Sequence, residues 1–422
     1  YGIYVGGSHN IVENCVTRYN RNTGLGIARW DDSQNTLDKY PSDNLILKCT
    51  SHDNFDYNNG GEDADGFSAK LTVGHNNIFD SCIAFANSDD GWDLYSKSSS
   101  GNTGVTKIIN CIAFRNGFLS DIGDENNTSS YNNGRTRDGA GNGCKLGGEA
   151  MYTNAYLENC ISFENGAHGY TDNSNPGILN LKNCTAYNNG LFEAGRYQNF
   201  NLARTTDSLN VYDGLLSIAT SNYSQSCADE FRGPISNSLV LHTADQKLQY
   251  YAILDVINGN SRIEELSGTP VTVNAADVFE KTDVRAFYVQ TVASADEVHK
   301  VLRNQDGSIN LGSYLKINDG ALQNLQLDFI GGRLAMDSWE EYRHHESLAI
   351  PQGATADTVV AYQIYNQLFV MCNEEAVYED LDLYKTILGH PIHWTSSHPD
   401  IVTVDLENPN PKDASKGTDT YY

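Results

Sequence analysis

Short apolar stretches rich in Ile, Val, Phe and Tyr alternate with Gly and Asn along the first half of the chain. These stretches lack a 3.6-residue period, so they predict short β-strands joined by turns, and they argue against amphipathic helices. The chain has 37 glycines but only 9 prolines, so many turns must be made by residues that tolerate positive φ angles. The pattern predicts an all-β, turn-rich protein.

Six of the nine cysteines occupy one repeated frame, with an apolar residue three positions before each cysteine and an asparagine five positions after it. The cysteines are Cys15, Cys49, Cys82, Cys111, Cys160 and Cys184, and the asparagines are Asn20, Asn54, Asn87, Asn116, Asn165 and Asn189. Successive cysteines are 24 to 49 residues apart, so a constant core carries insertions of variable length. This arrangement is the signature of a solenoid.

Short strands repeated in this way predict a right-handed parallel β-helix, in which each coil pairs with the coils above and below it. Equivalent positions then stack about 4.8 Å apart. The cysteines become a column of buried thiols with a structural role, and the asparagines form a hydrogen-bonded ladder. We assign residues 1–335 to this domain and expect earlier coils to be missing before Tyr1.

Stacking also predicts columns of side chains around a glycine that leads one strand of several coils. The residues before this glycine are Thr23, Asp65, Asp90, Asn142 and His168, and the residues two positions after it are Gly26, Ser68, Asp93, Lys145 and Thr171. The alignment therefore brings Lys145 next to four carboxylates, those of Asp65, Asp89, Asp90 and Asp93.

Carboxylates this close together repel one another unless a countercharge is present. A single acidic turn is usually just solvated, but four converging carboxylates on a rigid scaffold suit Ca²⁺, which accepts six to eight oxygen ligands. A lysine beside a bound divalent cation would have a lowered pKa and could act as a general base. A bound calcium ion and a neutral lysine together are suited to removing a proton α to a carboxylate.

Three segments resemble the motifs of family 9 polysaccharide lyases, which are pectate lyases with a right-handed parallel β-helix. They are GGEDADGF at 60–67, DDGWDL at 89–94 and GNGCKLGG at 141–148, and a looser resemblance extends to about residue 335. The resemblance implies calcium ligands at Asp65, Asp89, Asp90 and Asp93 and a Brønsted base at Lys145. It also implies a secreted enzyme that cleaves polygalacturonate or pectin by β-elimination and leaves 4,5-unsaturated ends. The inserted stretch 117–142 departs from the family pattern and is expected to form a loop beside the cleft.

The chain is strongly acidic, with 28 Lys and Arg against 54 Asp and Glu and a net charge of −26. This charge argues against nucleic acid and anionic membranes as partners. A polyanionic sugar remains possible if calcium reverses the local sign. Among the basic residues we assign only Lys97 to substrate binding, and we expect Lys70, Arg115, Arg135, Arg137 and Arg196 to be solubilising charges. No stretch approaches the roughly eighteen apolar residues of a membrane span, and we expect a monomer.

The pattern of apolar and polar residues changes near Ser338. We interpret 336–422 as a partial accessory domain of the bacterial immunoglobulin-like type, with a helix over 357–375. Two other functions stay open. One is a β-helical, polygalacturonase-like glycoside hydrolase that uses Asp89 or Asp90 as its acid. The other is a non-catalytic, calcium-stabilised carbohydrate-binding protein or adhesin, which would not need Lys145.

Overall fold

The computed structural model divides the chain into two compact units, Tyr1–Ala335 and Met336–Tyr422. In the first unit it describes residues 1–120, 138–203, 210–220, 229–231, 235–243, 248–253, 256–257, 260–261, 275–293, 298–324 and 330–334. In the second it describes 381–384, 386–387, 390–391, 402–405 and 416–421.

The first unit is a parallel β-helix whose strands form three sheets. The first sheet contains Ile3–Val5, Leu25–Ile27, Phe67–Ala69, Trp92–Asp93, Cys144–Lys145, Tyr170–Thr171, Phe200–Leu202 and Glu230–Phe231. The second contains Ile11–Glu13, Leu45–Leu47, Asn77–Asp80, Thr103–Ile109, Thr153–Glu158, Leu179–Lys182, Val211–Asp213 and Ile235–Ser236. The third contains Val16–Arg18, Thr50–His52, Ile83–Phe85, Ile112–Phe114, Ile161–Phe163, Thr185–Tyr187, Leu216–Ala219 and Ser238–Thr243, with Leu248–Ile253 added antiparallel. The predicted all-β solenoid is confirmed.

Each coil has two corners at which the chain changes direction, and each corner is made by a single residue with positive φ. The residue before each repeated cysteine and the residue before each repeated asparagine have φ between 49° and 58°. They are Asn14, Lys48, Ser81, Asn110, Asn159 and Asn183 at the first corner and Tyr19, Asp53, Ala86, Arg115, Glu164 and Asn188 at the second. One left-handed residue between two extended strands changes the chain direction sharply, so the repeat fixes the three-sided cross-section.

The predicted ladder is confirmed and runs the length of the coils. The side-chain amide of each repeated asparagine donates to the next at 2.8–3.0 Å, from Asn20 through Asn189. Asn189 then donates to Asn199 at 2.9 Å, a continuation that the repeat did not predict. The six repeated cysteines are free thiols, five of them buried in the same core. The amides satisfy one another inside the solenoid and hold successive coils in register.

The outer face of the third sheet is covered by a helical segment. This segment contains four short α-helices, Ala275–Val278, Val284–Phe287, Val298–Val301 and Asp319–Asn324, and the π-helix Tyr288–Ala293. A 3₁₀ turn, Leu37–Lys39, lies between the strands Leu25–Ile27 and Leu45–Leu47. Stacked Phe114 and Phe163 pack against Phe287. The guanidinium of Arg303 donates to the carbonyls of Cys49 and Ser81 at 2.9 and 2.8 Å. The helical segment therefore covers the part of the third sheet that carries the stacked phenylalanines.

In the second unit, Leu381–Tyr384, Val402–Asp405 and Lys416–Tyr421 form an antiparallel sheet, and Thr386–Ile387 pairs with His390–Pro391. The expected helix 357–375 lies outside the described residues. An immunoglobulin-like topology stays a prediction. Among the described residues, no helix has the length and hydropathy needed to cross a bilayer.

Candidate active site

The outward-facing column of the first sheet has the predicted register. Parallel pairing joins Gly26 to Ser68, Ser68 to Asp93, Asp93 to Lys145 and Lys145 to Thr171. Each strand here is only two or three residues long, so side chains alternate between core and surface over a single step. Trp92 and Cys144 point into the core, which leaves Asp93 and Lys145 facing outward on adjacent coils.

The turn column before the leading glycine is also as predicted, and its members are hydrogen-bonded in sequence. The Thr23 hydroxyl donates to Asp65 Oδ2 at 2.9 Å, and the Asp90 amide donates to Asp65 Oδ1 at 3.3 Å. The backbone and side-chain amides of Asn142 both donate to Asp90 Oδ1 at 2.8 Å. The amide of His168 donates to Asn142 at 3.1 Å. These bonds fix where the carboxylates point.

Three of the four predicted aspartates converge. One carboxylate oxygen each from Asp65, Asp89 and Asp90 lies within 4.8 Å of the others, and we call these three residues the acidic triad. All three are buried. Asp89 is held by backbone amides on either side, accepting from Asp63 at 2.8 Å and from Ala140 at 2.7 Å.

Asp93 lies beside the triad and contacts two lysines instead. Its Oδ2 is 3.0 Å from Lys70 Nζ, and its Oδ1 is 3.5 Å from Lys145 Nζ. Lys70 also reaches Asp65 Oδ2 at 2.8 Å, while Lys145 lies 3.1 Å from Asp90 Oδ2. The two ammonium groups therefore stand between Asp93 and the triad.

The charge balance of the triad differs from that of Asp93. Burial raises the pKa of all three triad carboxyls, and for Asp65 the value reaches about 6 although Lys70 lowers it. Burial also opposes ionisation of Asp93, but the ammonium groups of Lys145 and Lys70 bring the pKa of Asp93 below its usual value. The negative charge of the triad carboxylates is therefore balanced less completely than that of Asp93.

Both lysines are held as ammonium groups by these carboxylates. Burial alone would lower the pKa of Lys145, but Asp93, Asp90 and Asp89 raise it well above its usual value. The pKa of Lys70 is raised in the same way, against burial, by Asp65 and Asp93. With these carboxylates as countercharges, neither lysine is a ready base.

The triad fits a hard divalent cation. Asp90 Oδ2 is fully buried and accepts no hydrogen bond, although the Lys145 ammonium lies 3.1 Å away. An ionised oxygen without a donor is costly inside a protein unless a cation binds it. The donor set is all oxygen, which favours Ca²⁺ or Mg²⁺ over softer metals.

A family model described as the Pel9A-like, right-handed β-helix region matches residues 1–210. This chain belongs to the Pel9A-like β-helix family over those residues. The resemblance to family 9 polysaccharide lyases is confirmed, and so is the right-handed parallel β-helix.

Relatives of the Pel9A-like region include two curated proteins named pectate lyase L. That of Paenibacillus polymyxa (strain SC2) is 49% identical over 189 residues, which are 45% of this chain and 39% of the relative. That of Thermoclostridium stercorarium is 45% identical over 188 residues, which are 44% of this chain and 14% of the relative. The chain thus spans less than half the length of these relatives. The crystal structure of pectate lyase Pel9A is 26% identical, with a TM-score of 0.47 over 75% of this chain and 60% of that one.

The remaining predicted basic residues have different surroundings. Lys97 is half-buried in the loop after strand Trp92–Asp93, where its charge acts on Glu149. Arg196 is exposed and pairs with Glu193 at 2.9 Å. Arg135 and Arg137 lie outside the described residues, within the insertion 117–142. The described end of that insertion contributes Ala140 and Asn142 to the site.

For two basic residues the expectation of a solubilising charge was wrong. Lys70 and Arg115 are only 7% and 2% exposed. Arg115 lies near Glu164 and over the Phe118 ring, away from the triad, whereas Lys70 belongs to the site. The missed signal for Lys70 is strand alternation, since it follows Ser68 by two positions and so shares its outward face.

Proposed function

We propose that this chain is a calcium-dependent pectate lyase that cleaves polygalacturonate by β-elimination. The observation that carries the proposal is the position of Lys145, whose Nζ lies 3.1 Å from Asp90 in the buried acidic triad. A lysine on the outward face next to a cation site is the arrangement needed for proton abstraction α to a carboxylate. The substrate class follows from the family of residues 1–210 and from relatives named pectate lyases.

Asp65, Asp89 and Asp90, with Asp93 as a further ligand, would hold the Ca²⁺. When bound, the ion would offset the charge of the uronate carboxylate, stabilise the charge that develops at C5 and weaken the hold of the aspartates on the Lys145 proton. An acidic protein needs local positive charge of this kind to hold a polyanion.

Lys145 enters the reaction neutral and takes the C5 proton of the uronate on Nζ. The electron pair of the broken C–H bond forms the C4–C5 double bond, and the glycosidic bond from C4 to oxygen breaks. The leaving oxygen takes a proton from solvent water and becomes the hydroxyl of a new reducing end, and Lys145 afterwards returns its proton to solvent. The other fragment carries a 4,5-unsaturated uronate at its non-reducing end.

One assay tests the proposal against its alternatives. Polygalacturonate is incubated with the protein in Ca²⁺ and then in chelator, while the ultraviolet absorbance of unsaturated uronates and the number of reducing ends are followed. Elimination predicts that both rise together and that both stop in chelator. Reducing ends without absorbance would indicate a hydrolase, and no cleavage would indicate a binding protein.

We also propose that the protein is secreted, as the family resemblance implies, and that it is monomeric. Polygalacturonate is too large to cross a membrane unaided, so its depolymerase must act outside the cell. Light scattering on the purified chain gives the oligomeric state, and a mass near twice 46.4 kDa would contradict a monomer.

A further inference from the structure

A cavity lies on the outward face of the first sheet, on the N-terminal side of the acidic triad. Its volume is about 230 Å³. Parallel pairing continues the outward column from Asp93 through Ser68 and Gly26 to Tyr4. The cavity opens over the middle of this column. Its polar and aromatic lining comes from Tyr1, Tyr4, Arg29, Ser68, Lys70 and Thr72.

Glycine at position 26 lets the ring of Tyr1 lie directly against the floor of the cavity. A Cβ atom at Gly26 would lie 2.6 Å from the ring of Tyr1 and 3.1 Å from the hydroxyl of Ser68. Tyr1 and Tyr4 pack edge to face with ring centroids 4.9 Å apart and form an aromatic wall. An apolar wall facing hydroxyl groups matches a sugar ring, which has both C–H and O–H surfaces.

Arg29 supplies a cation at the rim. Its backbone amide donates to the carbonyl of Thr72 at 3.1 Å, and its carbonyl accepts from the Tyr4 hydroxyl at 2.7 Å, so the backbone is fixed. Its guanidinium pairs with Asp32 at 2.8 Å, but Asp32 is 96% exposed. Such a surface pair is worth little, so the guanidinium is free to bind an incoming carboxylate.

The same column differs in charge on the other side of Lys145. There the described register continues through Thr171, Asn201 and Glu230, which provide two neutral groups and one acid. Lys70 and Arg29 place positive charge beside the column on its N-terminal side, which favours binding of a polyanion there.

We propose that this cavity is a binding subsite for a uronate residue of the substrate, with Arg29 as the ligand of its carboxylate. The proposal rests on the proposed function for the identity of the chain that reaches it. Ser68 and Gly26 lie two and three strands from Lys145, or about 10–14 Å. A substrate must therefore extend several sugar residues from the cleavage point before it fills the cavity.

Calorimetry on a catalytically impaired background isolates binding from cleavage. Oligogalacturonates of increasing length are titrated into Lys145→Ala and into Lys145→Ala/Arg29→Ala. Loss of a charge-assisted hydrogen bond predicts about tenfold or greater weakening for the longer oligomers, and a smaller effect for the shortest. Lys145→Ala/Arg18→Ala is the matched control, since Arg18 is exposed on the third sheet of the same end of the protein.

A second variant, Gly26→Val, would push the Tyr1 ring away from the sheet without changing any charge, and it should weaken binding of the longer oligomers in the same way. The melting temperature of Gly26→Val shows whether this variant keeps the fold. If it does not, the Arg29→Ala titrations alone decide whether the cavity binds the substrate. Equal losses for Arg29→Ala and Arg18→Ala, or a loss independent of oligomer length, would overturn the subsite. Neutral galactose oligomers of the same length should bind equally well with Arg29 and with Arg29→Ala. If they bound more tightly with Arg29 present, the assignment of Arg29 to a uronate carboxylate would be overturned. These titrations report on the cavity even if the protein fails to eliminate polygalacturonate.

Discussion

Replacing Lys70 with methionine removes the buried ammonium that bridges Asp65 and Asp93. Its Nζ lies 2.8 Å from one carboxylate and 3.0 Å from the other. At an effective dielectric constant of about 20, each contact contributes roughly 6 kcal/mol before desolvation is counted. The cost of burying the lysine and proton uptake by Asp65 offset much of this sum.

Removing one partner of a buried ion pair typically costs about 3–5 kcal/mol, because the remaining charge is left unpaired. We therefore expect metal-free Lys70→Met to lose about 3–5 kcal/mol of unfolding free energy and to melt roughly 4–7 °C lower. Saturating Ca²⁺ should recover much of the loss, since the ion supplies the missing positive charge. The deficit should also shrink below pH 6, where Asp65 becomes protonated and no longer needs the ammonium.

Thermal unfolding in chelator and in Ca²⁺, at pH 5 and pH 8, measures these differences. Lys97→Met is the matched control, because Lys97 lies in the loop after the strand that carries Asp93 and acts on Glu149 instead. A melting temperature no lower than that of Lys97→Met in chelator would refute the role of Lys70 as countercharge. A loss that Ca²⁺ leaves unchanged would refute its link to the cation site.

Four further outcomes follow from the site and the ladder. Asp90→Ala should raise the calcium concentration needed for activity at least tenfold, and an unchanged calcium titration would remove Asp90 from the ligand set. Calcium affinity should fall as the pH drops below about 6, because Asp65 must lose its proton to bind; calorimetry at pH 5 and pH 8 checks this, and equal affinities would contradict it. The kcat/KM profile should rise toward alkaline pH because Lys145 must be neutral, so a flat or acid-optimal profile would count against that base. Asn116→Ala should cost about 2–4 kcal/mol in denaturant unfolding, since two buried ladder partners lose a bond each, and a loss below 1 kcal/mol would show that the ladder adapts.

The fold was accessible from sequence because a solenoid converts a repeat into a register. Once the leading glycines Gly91 and Gly143 are aligned, the strands that follow them are aligned too, and the pairing of Asp93 with Lys145 follows in spite of the insertion 117–142. The same logic brought Asp65 and Asp90 together. Stacking is a nearest-neighbour property, so local spacing is sufficient to predict it.

The repeat does not predict which carboxylates contact the lysines. The repeat places Asp93 in the strand column and Asp65 and Asp90 in the turn column, but it does not predict that Asp93 contacts both lysines while Asp65 contacts Lys70 and Asp90 contacts Lys145. That division depends on the side-chain reach of Lys70 and on the conformation of the loop before Asp65, neither of which repeats between coils. The contact of Ala140 with Asp89 depends likewise on how the insertion returns to the helix.

Positions outside the repeat were the least predictable. Asn199 extends the ladder although no repeated cysteine precedes it at the usual spacing. The helical segment on the third sheet has short helices whose apolar residues contact the stacked phenylalanines, and their pairing is set by tertiary packing more than by periodicity.

The most direct test of the account is the rate of unsaturated product formation by calcium-loaded Lys145→Ala on polygalacturonate, measured beside its calcium affinity and its melting temperature. A general base contributes about 10²–10⁴-fold, so the variant should lose at least a hundredfold in kcat. Its calcium affinity should be retained or increased, because the removed ammonium lies 3.1 Å from Asp90 and repels the ion. Elimination at an undiminished rate in a folded, calcium-binding variant would contradict the assignment of Lys145 as the base.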